Sequence, residues 1–395
     1  MRYHCGVRFP DFKLHQPRNL YSLICMFYRM KLSRFVFSVS LCTISLQINA
    51  QESNLPLDKI KLPPGFSISV WAHVPAAQAM TLGDKGTLFV GSKSAGNIYA
   101  ITENEGKRQV RVIASKLKMP TGVAFHDGAL YVSSINKILR FDAIESALDH
   151  PAPPRIITTD YPKETYHGWR YIAFGPDNWL YVSVGSPCNI CETDLDRFAL
   201  ISRIKPDGTN YEVVAKGVRN SEGFDWHPDT NELWFTDISR EWMGDNLPQD
   251  ELNHAPEKGM HFGFPYCHGL EVADPKLGAK HDCNKFTPPA IALDPHVAPV
   301  GMRFYTGSMF PADYRHNIFI AEHGSWNRST KIGYRIERVQ LEKNKVTKKE
   351  IFAEGWLQDN EAWGKPVDIL IASDGAMLVS DDMAGVIYRI SYSQP

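Results

Sequence analysis

From about residue 55 onward the hydrophobic positions fall in short alternating runs broken by Asp, Gly and Asn, and the same run recurs. Its copies are "MTLGDKGTLFVGS" (80–92), "VAFHDGALYVSS" (123–134), "IAFGPDNWLYVSV" (172–184), "FDWHPDTNELWFTD" (224–237), "MRFYTGSMFPADYRHNIFIAEH" (302–323) and "ILIASDGAMLVSDD" (369–382). Each reads strand, tight turn, strand, because alternating Leu, Tyr, Val and Phe place one face in a core and the turn residues accept hairpin backbone. Most are followed by a further apolar strand such as "GNIYAI", "NKILRF" or "GVIYRI". Beyond residue 55 no stretch carries the 3.6-residue period of a long amphipathic helix.

Leu88, Leu130, Leu180, Leu233, Ile318 and Leu378 hold one position of the repeat, at intervals of 42, 50, 53, 85 and 60 residues. Units of this size with several short strands predict an all-β fold, a six-bladed β-propeller, over residues 51–395 as a single domain. The long fourth interval, about 238–300, predicts a large excursion between blades. In a propeller the loops that enter the inner strands gather at one mouth, where a site can form. His167 and Arg170, in "YHGWRYIAF", are therefore expected to aim at the axis.

Composition adds little to the fold but narrows the setting. The chain has 395 residues, 43% hydrophobic and 22% charged, with a formal net charge of -1 and no basic stripe. That speaks against a nucleic-acid partner. Residues 30–50, "MKLSRFVFSVSLCTISLQINA", have a basic start, an apolar run and the small Ala50, the pattern of a secretory signal peptide cleaved after Ala50. The apolar run is shorter than the ~20 residues of a membrane-spanning helix. Translation is then expected from Met30, with residues 1–29 a start-site error; the other reading is a signal anchor with a cytoplasmic tail. An exported protein, periplasmic or secreted, follows, with no membrane span after cleavage. Four cysteines remain, Cys188, Cys191, Cys267 and Cys283, and local pairing gives 188–191 and 267–283 as disulfides.

Unusual polar residues flank the inner strands of several copies. "GVRNSEG" (217–223) carries Arg219, Asn220 and Glu222 ahead of the fourth, and "GKPVD" (364–368) carries Lys365 and Asp368 ahead of the sixth. "REWMGDNLPQDELN" (240–253), with Asp245 and Asn246, follows the fourth, and "EHGSWNRSTK" (322–331), with Arg328 and Lys331, follows the fifth. Each alone is an ordinary turn or solvated loop; their common place in the repeat is what points to a site. Arg and Lys converging on one mouth suit a planar, multiply anionic partner. Asp245 and Asn246 in a Gly- and Pro-flanked loop suit a hard cation such as Ca²⁺, and His167 suits a base working near neutrality.

These words together resemble the soluble quinoprotein sugar dehydrogenases, the glucose/sorbosone dehydrogenase family that uses pyrroloquinoline quinone (PQQ). The resemblance runs over roughly 60–392, through "HGWRYIAFGPDNWLYVSVGS", "GVRNSEGFDWHP", "DNLPQDELNHAPEKGMHFGFPYCHG", "HVAPVGMRFYTG", "AEHGSWNRS" and "GKPVDILIASDGAMLVSDD", and suggests the sorbosone branch. It implies that His167 is the catalytic base, taking a sugar hydroxyl proton as hydride passes to the quinone. Arg219 would stabilise charge at the reactive carbonyl, with Asn220 and Glu222 completing that loop's cofactor contacts. Arg328 or Lys331 would hold a cofactor carboxylate, Lys365 would stand at a cofactor-binding arginine, and Asp245 and Asn246 would supply Ca²⁺ ligands. The substrate would be a sugar or a sugar-derived aldehyde or alcohol, and electrons would leave to an external acceptor. The chain departs from the family's pattern at Ser186, where an acidic partner for the histidine is expected, and at Val367 and Lys365, where arginines are. Other readings of a polar propeller mouth are a Ca²⁺-dependent lactonase and a non-catalytic binding module.

Overall fold

The computed structural model describes residues 55–394; the signal-peptide and start-site expectations lie outside them. Six sheets, each built on four antiparallel strands and one of them extended by a fifth, stand around one axis as the blades of a β-propeller, joined by turns and short 3₁₀ segments, with no α-helix among the described residues. Blade one runs outward from Ala77–Leu82 through Leu88–Ser92 and Ile98–Asn104 to Lys107–Ala114, and blade two from Val123–His126 to Arg155–Thr158. The inner strands of blades three to six are Ile172–Phe174, Phe224–Trp226, Pro299–Phe304 and Pro366–Ile371. Second strands are buried along their whole length, as in Leu180–Val184 and Leu233–Asp237, because both faces meet neighbouring blades. Phe89, Phe224, Phe235, Phe319 and Trp234 are fully buried between sheets.

The ring closes with strands from opposite ends of the described chain. Phe66–His73 is the outer strand of blade six, paired with Val386–Tyr392 in a register that matches Phe66 to Tyr392. Closure leaves no open edge between the first and last blades.

The long fourth interval differs from the expectation. Gln249–Ala255 is the third strand of blade four and Ile291–Pro295 its fourth, so the excursion occupies 256–290 within a blade, not between blades. It holds the Cys267–Cys283 disulfide and lends Met260–His261 to blade three as a parallel strand. The strand was hard to read because three of its buried positions, Asp250, Glu251 and Asn253, are polar. Asp250 accepts from the Ser239 and Ala298 amides and Glu251 from that of Gly269.

One cation plugs the channel below the mouth. Arg303, on the inner strand of blade five, donates from Nη2 to the Tyr171 hydroxyl (3.0 Å) and from Nε to the Ile369 carbonyl (3.0 Å). Its guanidinium lies 3.9 Å from both Asp225 Oδ1 and Asp368 Oδ1. The carboxylates anchor backbone in turn, since Asp225 accepts from the Phe304 amide and Asp368 from those of Met80 and Ile369. Asp368 thus lies down the channel with Arg303. Burial pushes its carboxyl up to about 6 against the pull of Arg303. Replacing Arg303 with Met would strand two carboxylates, and we expect a loss of about 3 kcal/mol in urea denaturation at pH 8. The native carboxyls already bind protons more readily than in the unfolded chain, so the deficit should shrink as pH falls from 8 towards 5.

Candidate active site

A cavity of about 330 Å³ opens at the mouth above this plug. Of the residues singled out in the sequence, His167, Arg219, Asn220, Glu222 and Lys365 line it together, and Val367 contributes to an apolar part of the wall. Arg328 and Lys331 do not. Arg328 donates to the carbonyls of Asp245 and Pro295, and Lys331 reaches out to Glu361 (3.8 Å). Asp245 and Asn246 lie outside the cavity lining as well; Asp245 is half-exposed and its carboxylate accepts from the Ser329 amide, while Asn246 is exposed. Arg170 is turned away from the axis. It is fully buried and donates to the Ile135 (2.7 Å) and Pro162 (2.9 Å) carbonyls, fixing the approach to blade three from behind.

The backbone at His167 is held in the left-handed region, φ +46°. For a residue with a Cβ this costs roughly 1–3 kcal/mol and persists only where the surroundings impose it. Gly185 makes the room: a Cβ there would fall 2.5 Å from the His167 Cβ and 2.7 Å from Asn220 Oδ1. His167 Nδ1 donates to the Ser186 carbonyl (3.0 Å). A carbonyl can only accept, so the proton sits on Nδ1 and the lone pair on Nε2. Burial, then the charges of Arg219 and Lys93, hold the imidazole well below its usual range, and the Ser186 bond opposes them only in part. The result is a neutral base of fixed tautomer. A backbone oxygen does what a carboxylate at position 186 was expected to do.

Arg219 is buried, and each nitrogen of its guanidinium makes one hydrogen bond, which uses three of its five N–H groups. Nη1 donates to the Ile238 carbonyl (2.9 Å), Nε to the Asn189 carbonyl (3.0 Å) and Nη2 to Asn189 Oδ1 (3.0 Å). The amides of Arg219 and Asn220 donate to the two oxygens of Asp237 (2.8 and 2.7 Å), which pins the turn. Asn220 donates from its side chain to Glu222 (2.8 Å). Beneath the turn burial pushes Asp237 up to about 7, opposed by these bonds and by the Arg219 charge, and it titrates jointly with its neighbours.

Several cavity-lining positions escaped the sequence. Lys93, Gln78, Trp169, Glu241, His323 and Asp382 also line the cavity. Lys93 sits with its ammonium 3.1 Å above the Trp169 ring centroid. His323 Nε2 and Gln78 Nε2 both contact the Asp382 carboxylate, at 3.0 and 2.9 Å. The signal for three of them was the turn after a second strand. Lys93 follows that strand in blade one and Asp382 in blade six, as His323 does in blade five. The cationic wall is therefore Lys93, Arg219 and Lys365, and Arg328 and Lys331 lie outside it.

Both disulfides expected from local pairing are present, Cys188–Cys191 and Cys267–Cys283. Among the described residues no group of three or more His, Cys, Asp or Glu side chains is placed to hold a metal ion.

Comparison with known proteins agrees with the propeller fold. Similar solved structures include a Trichoderma reesei enzyme of carbohydrate-active family AA12, with TM-score 0.71 and 20% identity over 85% of this chain and 98% of that one. Another is the holo PQQ domain of Coprinopsis cinerea pyranose dehydrogenase, with TM-score 0.69 and 19% identity over 84% and 97%. A third is the PQQ-bound aldose sugar dehydrogenase of Streptomyces coelicolor, with TM-score 0.60 and 19% identity over 84% and 100%. An uncharacterized protein of Borreliella burgdorferi is 36% identical over 367 residues, 89% of this chain and 94% of that one. A family model described as TrAA12-like matches residues 60–393, and the resemblance to the soluble quinoprotein sugar dehydrogenases stands: the chain belongs to the TrAA12-like family.

Proposed function

We propose that this protein is an exported, PQQ-dependent oxidoreductase that oxidises a sugar or a sugar-derived aldehyde or alcohol and passes the electrons to an external acceptor. The observation that carries the reading is a neutral histidine of fixed tautomer in one cavity with three cations, Lys93, Arg219 and Lys365. Family membership and the PQQ-bound relatives support it. The two disulfides support an oxidising compartment.

The residues fit the cofactor. Lys93 and Lys365 suit cofactor carboxylates, Arg219 is left for the reactive carbonyl, and Trp326 gives a flat wall for a planar ring system. The buried Trp169 Nε1 has no partner within the protein and would donate to a ligand. Bound there, PQQ would supply the two-electron acceptor. His167 Nε2 would take the proton of the substrate hydroxyl, and Arg219 would hold its charge against oxygen that turns anionic. The fit to Ca²⁺ is poorer. A calcium-containing structure exists for the Trichoderma reesei relative, but here the Asp245 carbonyl accepts from Arg328 and Asn246 is exposed. A metal role for these two residues stays a proposal, through backbone oxygens, and no step depends on it. The cationic wall favours this reading over a lactonase or a binding module.

The test is dye reduction by the protein purified from Gln51 onward, with PQQ, with and without Ca²⁺, against aldoses, sorbosone-like aldehydes and polyols. Turnover that requires PQQ is expected; failure of PQQ to bind would overturn the reading. His167→Ala should lower kcat by about 10²–10⁴-fold and leave the PQQ Kd nearly unchanged, whereas Arg219→Ala should damage both. Because the His167 imidazole resists protonation, the acidic limb of the kcat/KM profile should fall below the usual histidine value of about 6.5. A limb at or above that value would contradict the site described.

A further inference from the structure

We propose that Asn189, carried in the four-residue loop closed by the Cys188–Cys191 disulfide, is the positioning residue that sets Arg219 and the Glu241 turn relative to His167. The stretch 186–189 touches each of them. The Ser186 carbonyl accepts from His167 Nδ1 (3.0 Å), and the Ser186 amide donates to the Arg219 carbonyl (2.8 Å). The Ser186 hydroxyl donates to the Cys188 carbonyl (3.0 Å), tying the two ends of this short run. Asn189 then takes the Arg219 fork on its carbonyl and its Oδ1, both at 3.0 Å. The same Oδ1 accepts from the Glu241 amide (2.8 Å), while Nδ2 donates to the Glu241 carbonyl (3.0 Å).

Only an amide side chain can do all of this. Arg219 and the Glu241 N–H need an acceptor, and the Glu241 carbonyl needs a donor. Glu241 in turn accepts from Trp326 Nε1 (3.0 Å) on Oε1 and keeps Oε2 3.2 Å from His296 Nδ1, so its placement carries to the cavity rim. A disulfide between residues three apart closes too small a loop to add much to global stability. Its effect is local: it narrows the conformations of the turn that presents Asn189. Reduction by a dithiol, which moves two electrons and two protons onto the cysteine sulfurs and leaves the reagent as a disulfide, would release that turn.

The proposal rests on the quinoprotein reading only in taking Arg219 as a cofactor contact, and one readout needs no cofactor. The experiment compares the purified protein with Asn189→Ala, Asn189→Asp and the double Cys188→Ser, Cys191→Ser variant. It measures thermal melts, the PQQ Kd and, by NMR in the cofactor-free protein, the titration of His167, whose facing charges are Arg219 and Lys93. Asn189→Ala should melt close to wild type yet raise the PQQ Kd about tenfold or more, the cost of loosening a charge-assisted hydrogen bond. Its His167 should titrate higher, because Arg219 keeps only its carbonyl partners at Asn189 and Ile238 and its charge is held less firmly beside the imidazole. Asn189→Asp keeps the acceptor for Arg219 but loses the donor to the Glu241 carbonyl, so its PQQ Kd should rise less than that of Asn189→Ala, while its added carboxylate moves the His167 titration up. The double cysteine variant should shift both readouts in the direction of Asn189→Ala. Unchanged Kd and His167 titration in Asn189→Ala would overturn the proposal. So would equal losses in Asn189→Ala and Asn189→Asp accompanied by lowered melts, the mark of a merely structural residue. If the wild type itself fails to bind PQQ, the functional reading falls, and the His167 titrations still decide the role of Asn189.

Discussion

The constraint on which the molecule depends is a positive charge placed where six sheets meet. A propeller has an axis that no apolar side chain fills well, because each inner strand brings backbone groups that face a narrow polar channel. Arg303 resolves this by donating to Tyr171 and the Ile369 carbonyl and lying between Asp225 and Asp368. Those carboxylates accept amides from strands of blades one, five and six. One guanidinium thereby links the innermost strands of most of the ring. Arg303 lines a pocket with Asp225 and Ile371, away from the cavity that His167 and Arg219 line.

With the inner strands linked, the site becomes a matter of two sets of turns. The loops entering inner strands bring His167, Arg219 and Lys365, and the turns after second strands bring Lys93, Ser186, Glu241, His323 and Asp382. Charge is balanced across the cavity rather than along it. The Asp382 carboxylate is held low by His323, Lys365 and Lys93 against its own burial, which keeps it ionised opposite the cations. His167 is kept neutral by its burial first and then by the charges of Arg219 and Lys93. Two histidines in one cavity thus meet opposite electrostatics, His323 against a carboxylate and His167 against guanidinium and ammonium.

The blade count was legible because the hairpin alternation survives wherever buried positions are apolar. It failed at Gln249–Ala255, where Asp250, Glu251 and Asn253 are buried alongside Leu252 and Ala255 and the signal reads as a loop. The site was legible in part for a related reason. His167, Arg219 and Lys365 stand out as polar residues next to apolar strands, and the structure brings them together. Arg170 stands out equally and serves packing, since a sequence shows that a guanidinium is present but not which carbonyls receive it. The role of Ser186 was illegible in principle: its contribution to His167 is a main-chain oxygen, which any residue type would carry.

The closure of the ring has a consequence for how the chain comes into being. Phe66 finds its partner in Tyr392, more than three hundred residues later, and the whole of Phe66–His73 waits for that meeting. During synthesis five blades can be assembled by neighbours in sequence while the first strand remains an unpaired edge of alternating apolar residues. Loops of that length close slowly, and an open edge recruits whatever strand it meets. The interval between the emergence of residue 73 and residue 386 is therefore the period in which this chain is most exposed to pairing with a copy of itself.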